Sequence, residues 1–593
     1  MILRQTHFGM FNVVNYKKII LLLFIGFSNY SFSQTSLTVT NVLADNIIKG
    51  NYDPAIFASS NPISDHQDIV TQIQNNIQAD SLKAYILKMA TFHNRNTGAD
   101  TVSLITGIGA ARKWAYSKFQ SFSAMNENRL IPSYFQFNQT ICTVTQHRNI
   151  LAVLPGSDSA NHEVIIIEGH LDSRCETECD ITCQAHGIED NASGSALVME
   201  LARIMSAFTF KNTIVFMLTI GEEQGLYGSN AFAIYCQTNS IPVKAVLNND
   251  VIGGVICGNT SSAPSCPGLN DIDSAQVRLF SYGGFNSAHK QLSRFIKLQY
   301  KEELIQHVTV PMLITIMSAE DRTGRGGDHI PFRQKSFTAM RFTSANEHGD
   351  ASNGVGYNDR QHTSEDILGI DTNADLEIDS FFVDFNYLSR NAAINGTAAT
   401  VAAKGPNKPD FSMSTIVGPG LIIQITDQTQ YNTYRVGIRT LTNDWDSVYT
   451  MIGTLDTIYP PTATNYYISV ASVDEFGMES LFSKEISLIG AQVDIEELSN
   501  SNKGPISLLQ NRPNPFDEIT IIGVHCNAKI KYKKAWISIQ DLNGKQLERI
   551  PIELDQEINE VHYEHGYGKT GTYLYTLYVD GKIIESKRMI FAN

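Results

Sequence analysis

The chain has 593 residues, 42% of them hydrophobic and 18% charged, with 45 Lys and Arg against 60 Asp and Glu. Domains cluster near ~100 to 200 residues, so three or four units are expected. A net charge of -15 disfavours nucleic acid or an anionic membrane surface as a partner.

Residues 1–33 place Lys17 and Lys18 before the apolar run Ile19 to Phe27 and end in YSFSQ, the build of a secretory signal peptide. The run is too short to cross a bilayer, and no later stretch reaches the ~20 apolar residues of a membrane span. The mature chain is expected to be exported and to carry no transmembrane anchor.

From about residue 68 to 400, helical periods alternate with short apolar runs: 164–167 (VIII), 213–220 (TIVFMLTI), 244–249 (KAVLNN) and 337–343 (FTAMRFT). Each is nearly continuously apolar, as expected of strands buried on both faces. The fold class predicted is α/β, a mixed and mostly parallel sheet flanked by helices. Apolar residues at 197, 198, 201, 204, 205 and 208 predict a helix over Asn191 to Phe208, with Asn191 or Ser193 as its cap.

Eight cysteines in an exported chain favour disulfides. Cys257 and Cys266 bracket a short loop that a disulfide would close. Cys175, Cys179 and Cys183, followed by His186, suit either disulfides or a metal. Three cysteines also need an outside partner, Cys142 or Cys236.

The chemistry gathers after the strands. His170 and Asp172 lie in GHLDS after VIII, Glu222 and Glu223 follow TIVFMLTIG, and Asp250 follows KAVLNN. Ligands of open α/β sheets collect outside the carboxyl ends of parallel strands, so three strands deliver acidic and imidazole groups to one edge. Asp190 in GIEDNASG opens the next helix, and His362 lies in RQHTSED. Singly, each acid reads as well as a cap or a solvated loop residue. Jointly they supply what a pair of zinc ions needs: imidazoles, carboxylates, a shared ligand and a spare carboxylate to move a proton.

In this order the motifs resemble the zinc-dependent exopeptidases of the bacterial leucyl aminopeptidase type, which share their fold with the transferrin receptor ectodomain. The resemblance implies that His170, Asp190 and Asp250 bind one zinc and that Asp190, Glu223 and His362 bind the other. It also implies a cis peptide between Asp190 and Asn191. Glu222 remains as general base, and Asp172 as the partner fixing the His170 tautomer. Within GGDHIPF, Asp328 and His329 read as structural or pocket-lining; Arg322 and Arg325 read as solvated loop residues or contacts to a substrate carboxylate. DTNADLEID (371–379) spaces oxygen groups at Asp371, Asn373, Asp375 and Glu377 as calcium loops do, though Leu376 replaces the usual glycine and Phe382 the final Glu. A structural calcium or a plain acidic loop fits.

After GPNKP the pattern turns to period two. YYISVASVD puts Tyr466, Ile468 and Val470 on one strand face, and residues 405–490 read as a small β-sandwich resembling a fibronectin type III domain, most simply a spacer. A polar linker over 491–504 leads to a second β unit, 505–593, with hairpin signals at Asn543-Gly544 and Asp580-Gly581. NRPNPF, IQDLNGK and the closing GTYLYTLYVDGKIIESKRMIF resemble the C-terminal sorting domain of the type IX secretion system. That resemblance implies a Bacteroidota-type bacterium, the type IX machinery as a partner, and secretion or surface attachment. With the signal peptide at 1–33, the catalytic unit occupies 34–403.

The function expected is an aminopeptidase acting on peptides or proteins. A carboxypeptidase, a dipeptidase or a single-zinc glutaminyl cyclase of the same fold is the alternative. From another class, an inactive surface-binding protein would be expected to lack ligands.

Overall fold

A computed structural model describes residues 36–256, 271–322, 325–345, 360–375, 377–415, 421–440, 442–459, 466–488, 505–512, 514–516, 519–526, 531–542, 544–555, 558–565 and 570–591. The expected signal peptide, the linker at 491–504 and the Cys257–Cys266 pair lie outside the described residues. Among the described residues no helix is long and apolar enough to cross a membrane.

Nine strands form the main sheet: β1 (Thr38–Val39), β2 (Ile131–Ile141), β3 (Val144–Leu154), β4 (Val164–His170), β5 (Thr213–Thr219), β6 (Val243–Asn249), β7 (Gln276–Phe280), β8 (Leu313–Ile316) and β9 (Ala339–Ser344). Their order is β1-β2-β3-β5-β4-β6-β9-β7-β8. The centre, β5-β4-β6-β9, is parallel throughout, and the flanks bring in antiparallel pairs, so the sheet is mixed. The four predicted apolar runs are these four central strands. Burial on both faces explains why they lack alternation.

Helices Gly107–Met125, Ser193–Met205 and Phe385–Lys404 pack together on one face, and Tyr227–Thr238 with His329–Gln334 on the other. Successive residues of β4 point to opposite faces. Gly169 faces the Ser193–Met205 helix so closely that a Cβ would come within 3.0 Å of Asn249 O and of Gly194 C. Gly194 is tighter still, since a Cβ there would lie 2.1 Å from Asn249 O. These two glycines let the helix start seat directly on the strand ends, behind the cluster of acidic groups.

Two antiparallel β units follow. In the first, strands Phe411–Thr415, Leu421–Ile425 and Leu455–Ile458 face Thr433–Arg439, Ser447–Ile452, Tyr466–Val473 and Ile486–Leu488 across a core containing Ile423, Tyr434, Met451, Ile468 and Val470. The predicted inward face of Tyr466–Val473 is there, but the other face is buried as well. Ala471 packs with Trp445, Phe482 and Leu298, the last belonging to the α/β unit. The first β unit is thus docked on the α/β unit.

The second unit pairs Ile506–Leu508, Ile519–Cys526 and Ile558–Glu564 against Ala535–Gln540, Gln546–Pro551, Gly571–Val579 and Lys582–Phe591. The Asp580-Gly581 hairpin forms with φ values of 48° and 80°, both in the left-handed region that a two-residue turn of this kind requires. Asn543 lies outside the described residues, and Gly544 stands between two paired strands.

Two disulfides close the cysteine cluster: Cys142–Cys179 and Cys175–Cys183. Cys236 is buried and free. The outside partner is therefore Cys142, on the turn between β2 and β3, and bonded Cys175 and Cys183 are unavailable as metal ligands.

Candidate metal centre

All seven residues singled out in the sequence meet at the carboxyl edge of the parallel strands. His170 ends β4, Glu222 and Glu223 follow β5, and Asp250 follows β6. Asp190 sits at the turn into the Ser193–Met205 helix, and its bond to Asn191 is cis, as the resemblance implied. Asn191 holds that turn: its Oδ1 accepts from Gly194 N at 2.8 Å and its Nδ2 donates to Asn249 O at 2.9 Å.

Asp190 is the centre of the arrangement. Its Oδ1 lies 3.0 Å from His170 Nε2 and its Oδ2 3.2 Å from His362 Nε2. On the His170 side, Asp250 Oδ1 is 3.3 Å and Glu222 Oε2 4.0 Å from the imidazole Nε2. On the His362 side, Glu223 Oε2 is 3.1 Å from Nε2.

Burial and crowding set the electrostatics. Burial, followed by the negative Asp250, Asp328 and Glu223, pushes the Glu222 carboxyl well above its ordinary range against the pull of His170. Burial and Asp190 likewise raise Glu223. Burial opposes charging of His170, but Glu222 and Asp250 outweigh it and hold this imidazole well above its usual value. Neither Glu223 oxygen receives a well-oriented hydrogen bond although both are buried. Crowded carboxylates with imidazole partners, buried and short of donors, are the chemistry of a divalent-cation site. Two overlapping triplets bring ligand atoms within 4.8 Å of one another: His170, Asp190, Glu223 and His170, Glu222, Asp250. Zinc fits this donor set.

In the expected calcium loop the acidic side chains bond within the loop itself. Asp371 Oδ1 accepts the amides of Asn373 and Ala374, and Asp379 Oδ2 accepts from Thr372 N and Oγ1. Those carboxylates are turned into the loop's own backbone, and among the described residues no metal triplet forms there.

Asp172 departs from the expected geometry. Its carboxylate stands 3.6 Å from His170 Nδ1, beyond hydrogen-bond range, while its own backbone carbonyl is 3.1 Å away and takes the ring proton. The carboxylate turns elsewhere, accepting from Thr97 Oγ1 at 3.0 Å and Glu223 N at 3.3 Å.

Asp328 is structural, as expected. It accepts hydrogen bonds from Thr219 Oγ1 and Ser229 Oγ. His329 Nε2 lies 3.0 Å from Glu320 O, turned away from the cluster. Arg322 is buried and donates to Gln361 Oε1 at 2.9 Å. Arg325 does reach the site, with Nη1 2.9 Å from His362 Nδ1.

Other supports were not foreseen. Arg341 on β9, fully buried, brings Nη2 to 3.0 Å of Asp250 Oδ2 and Nη1 to 3.0 Å of Asp321 Oδ1. Asp366 accepts the amides of Glu189 and Asp190, both at 3.0 Å, and so fixes the backbone that carries the shared carboxylate. Arg174, directly after GHLDS, reaches His362 and Glu223.

The model of peptidase family M28 matches residues 149–383. A probable zinc metalloprotease of the fungus Pyrenophora tritici-repentis is 31% identical over 362 residues, covering 59% of this chain and 78% of that protein. The chain belongs to peptidase family M28. A second relative, a probable zinc metalloprotease of Leptosphaeria maculans, is 31% identical over 346 residues, covering 56% of this chain and 76% of that protein. Among solved structures, the LapA aminopeptidase of Legionella pneumophila is similar at 21% identity with a TM-score of 0.41, over 58% of this chain and 78% of that one. The glutaminyl cyclase of Porphyromonas gingivalis is similar at 14% identity with a TM-score of 0.38, over 55% of this chain and 98% of that one. His170, Asp190, Glu223, Asp250 and His362, the ligand candidates read from the sequence, all lie within the segment that the family model matches.

Proposed function

We propose that this M28 peptidase is an exported aminopeptidase that holds two zinc ions and removes N-terminal residues from peptides or proteins. One observation carries the two-metal reading: the two oxygens of Asp190 face two different imidazoles, each with its own further carboxylate. His170, Asp190 and Asp250 would hold one ion, and Asp190, Glu223 and His362 the other. When bound, zinc polarises a carbonyl and lowers the pKa of water.

The remaining steps belong to the chain. Glu222 is the acidic group left over, and its side chain is 11% exposed, at the mouth of the cluster. It takes the proton of the attacking water and passes it to the leaving amine. Arg341 holds Asp250 and Asp366 holds the Asp190 backbone, so ligands stay in place while Glu222 moves its proton. Asp172 acts as a positioning residue through the Glu223 amide.

Export rests on the signal-like segment at 1–33. The fibronectin type III-like reading of 405–490 and the type IX sorting reading of 505–593 rest on sequence resemblance, and with them a Bacteroidota-type, surface-attached location; the curated relatives named above are fungal. Mass spectrometry of the exported protein tests the sorting reading, which predicts loss of the last unit.

The enzymatic reading is tested with aminoacyl-p-nitroanilides, their N-blocked counterparts and metal analysis. Two zinc per chain, chelator-sensitive cleavage of free-amine substrates and resistance of blocked ones are expected. Glu222→Gln should lower kcat by roughly 100- to 10,000-fold and keep both zinc ions. One zinc per chain, or cleavage of blocked substrates alone, overturns it.

A further inference from the structure

A groove of about 1160 Å³ lies between the α/β unit and the first β unit, larger than the roughly 300–1,000 Å³ of an ordinary small-molecule pocket. It sits at the opposite edge of the main sheet from the metal centre. Ser157 and Asp158 follow β3 and Lys211 comes just before β5, whose other end leads to Glu222 and Glu223. β5 has seven residues, so roughly 23 Å of strand separates the two places. The groove is therefore no continuation of the metal cleft.

Its two walls are fixed against each other. A Cβ on Gly405 would lie 2.1 Å from Glu479 O, so the connection between the units is pressed onto the β unit, and Lys244 Nζ donates to Gly405 O and Pro406 O at 3.0 and 3.3 Å. A ligand meets a surface already built, which lowers the ordering cost of binding.

Phe476 stands on the lip, 76% exposed. The turn that carries it is held: Asp474 Oδ1 accepts from Phe476 N at 3.0 Å and Met478 N at 2.9 Å, Gly477 N donates to Asp474 O at 3.0 Å, and Met478 is buried. A large apolar ring is thus kept in water at a fixed place, where covering it is favourable. Half-buried Tyr431 lines the same wall.

Around these rings the lining is polar. Gln430 and Asn432 flank Tyr431, and among the described residues neither side chain has a hydrogen-bond partner. Four carboxylates, Asp65, Asp158, Asp474 and Glu475, outnumber two lysines, Lys211 and Lys404, a balance that disfavours an anionic ligand. Thr433 and Val473, the residues of the lining that belong to strands, are paired with each other. The groove thus offers an extended peptide no free strand edge to join. A sugar ring presents hydroxyls that both donate and accept, and an apolar CH face. Side-chain amides and carboxylates beside exposed aromatic rings match both.

We propose that this groove binds an extended neutral oligosaccharide, with Phe476 on a sugar face and Gln430 and Asn432 on its hydroxyls, and so anchors the chain to a glycan apart from the metal centre. The proposal goes beyond the peptidase reading and does not depend on it.

The full chain is titrated by calorimetry with laminarihexaose, cellohexaose, maltohexaose, mannohexaose, xylohexaose and chitohexaose, and with heparin and an unfolded, carboxymethylated protein for comparison. At least one hexasaccharide should bind saturably, with little change as salt rises, since a neutral ligand offers no charge to screen. Phe476→Ala and, separately, Asn432→Ala should each weaken that binding about tenfold. Both side chains are exposed, so both variants should fold and turn over leucyl-p-nitroanilide as the wild type does. Binding of no hexasaccharide, binding that survives either variant, or capture of heparin or the unfolded protein alone overturns the proposal. If the wild type cleaves no aminoacyl substrate, the peptidase reading fails and the saccharide titration still decides this one.

Discussion

Asp172 works with two different parts of itself. Its backbone carbonyl, 3.1 Å from His170 Nδ1, sets which ring nitrogen is free to bind a metal, and no side-chain substitution removes that group. Its carboxylate, through the Glu223 amide, orients the loop that carries two acidic residues. Asp172→Ala should therefore weaken zinc binding by about 10- to 100-fold, the usual cost of losing a ligand's support, with the loss centred on the Glu223 side. Zinc titration against a competing chelator measures it, and unchanged affinity would assign the carboxylate to stability alone. His170, Glu223 and Asp250 were legible because each follows an apolar run, which fixes its place at a strand end; Asp190 and His362 were picked out only by the order of the motifs. Arg341 and Asp366 were not. A lone arginine inside FTAMRFT reads as an interruption of a strand, and only the three-dimensional pairing of β6 with β9 sets it against Asp250.

The loop from Arg174 to Cys183 has no helix or strand of its own and depends on its covalent ties. Cys142–Cys179 joins it to the β2–β3 turn across 37 residues, and Cys175–Cys183 closes it on itself. Replacing both Cys142 and Cys179 by Ser should lower stability by about 2–4 kcal/mol in urea unfolding, and should loosen the seat of Arg174 without touching a metal ligand. A variant as stable as the parent would show that the hydrogen bonds of Asn94 and Asn96 to this loop suffice alone. The choice between Cys142 and Cys236 was closed to the sequence because either lies far along the chain from the cluster. Topology decides it, since Cys236 faces the core from helix Tyr227–Thr238. The central strands could be read outright because double-sided burial leaves an unbroken apolar run. In Tyr466–Val473 the small residues Ser469 and Ala471 masked an equally buried second face.

At the scale of the whole molecule, the units are joined by buried charge. Glu485 of the first β unit lies between Arg294 of the α/β unit at 3.1 Å and Arg439 at 2.6 Å, with all three side chains almost fully buried. Removing its charge with Glu485→Gln takes from two buried guanidiniums the carboxylate they share and should cost about 3–5 kcal/mol. Burial works against ionisation of Glu485, but Arg294 and Arg439 outweigh it and hold its carboxyl below the ordinary 4.5. Its contribution is therefore complete above pH 4.5 and is lost as the pH falls through the lower folded value. A second titration lies beside it. His562 of the last unit stacks on Phe285 of the α/β unit at 4.1 Å and on edge against Tyr467 of the first β unit at 6.1 Å. Burial pushes this imidazole down from 6.5 to about 4, so it stays neutral in the stack while a released His562 takes up a proton below pH 6.5. Acidification from pH 6.5 towards 4 should therefore loosen the last unit first, with Glu485 adding its loss below 4.5. His562→Phe keeps a flat ring in the stack and removes the titration, so in unfolding curves taken across this range it should flatten the upper part of the pH dependence and leave the lower part. If the upper part persists in that variant, it comes from another buried imidazole, such as His565 within the last unit or His289 in the α/β unit, both of which burial also pushes down to about 4.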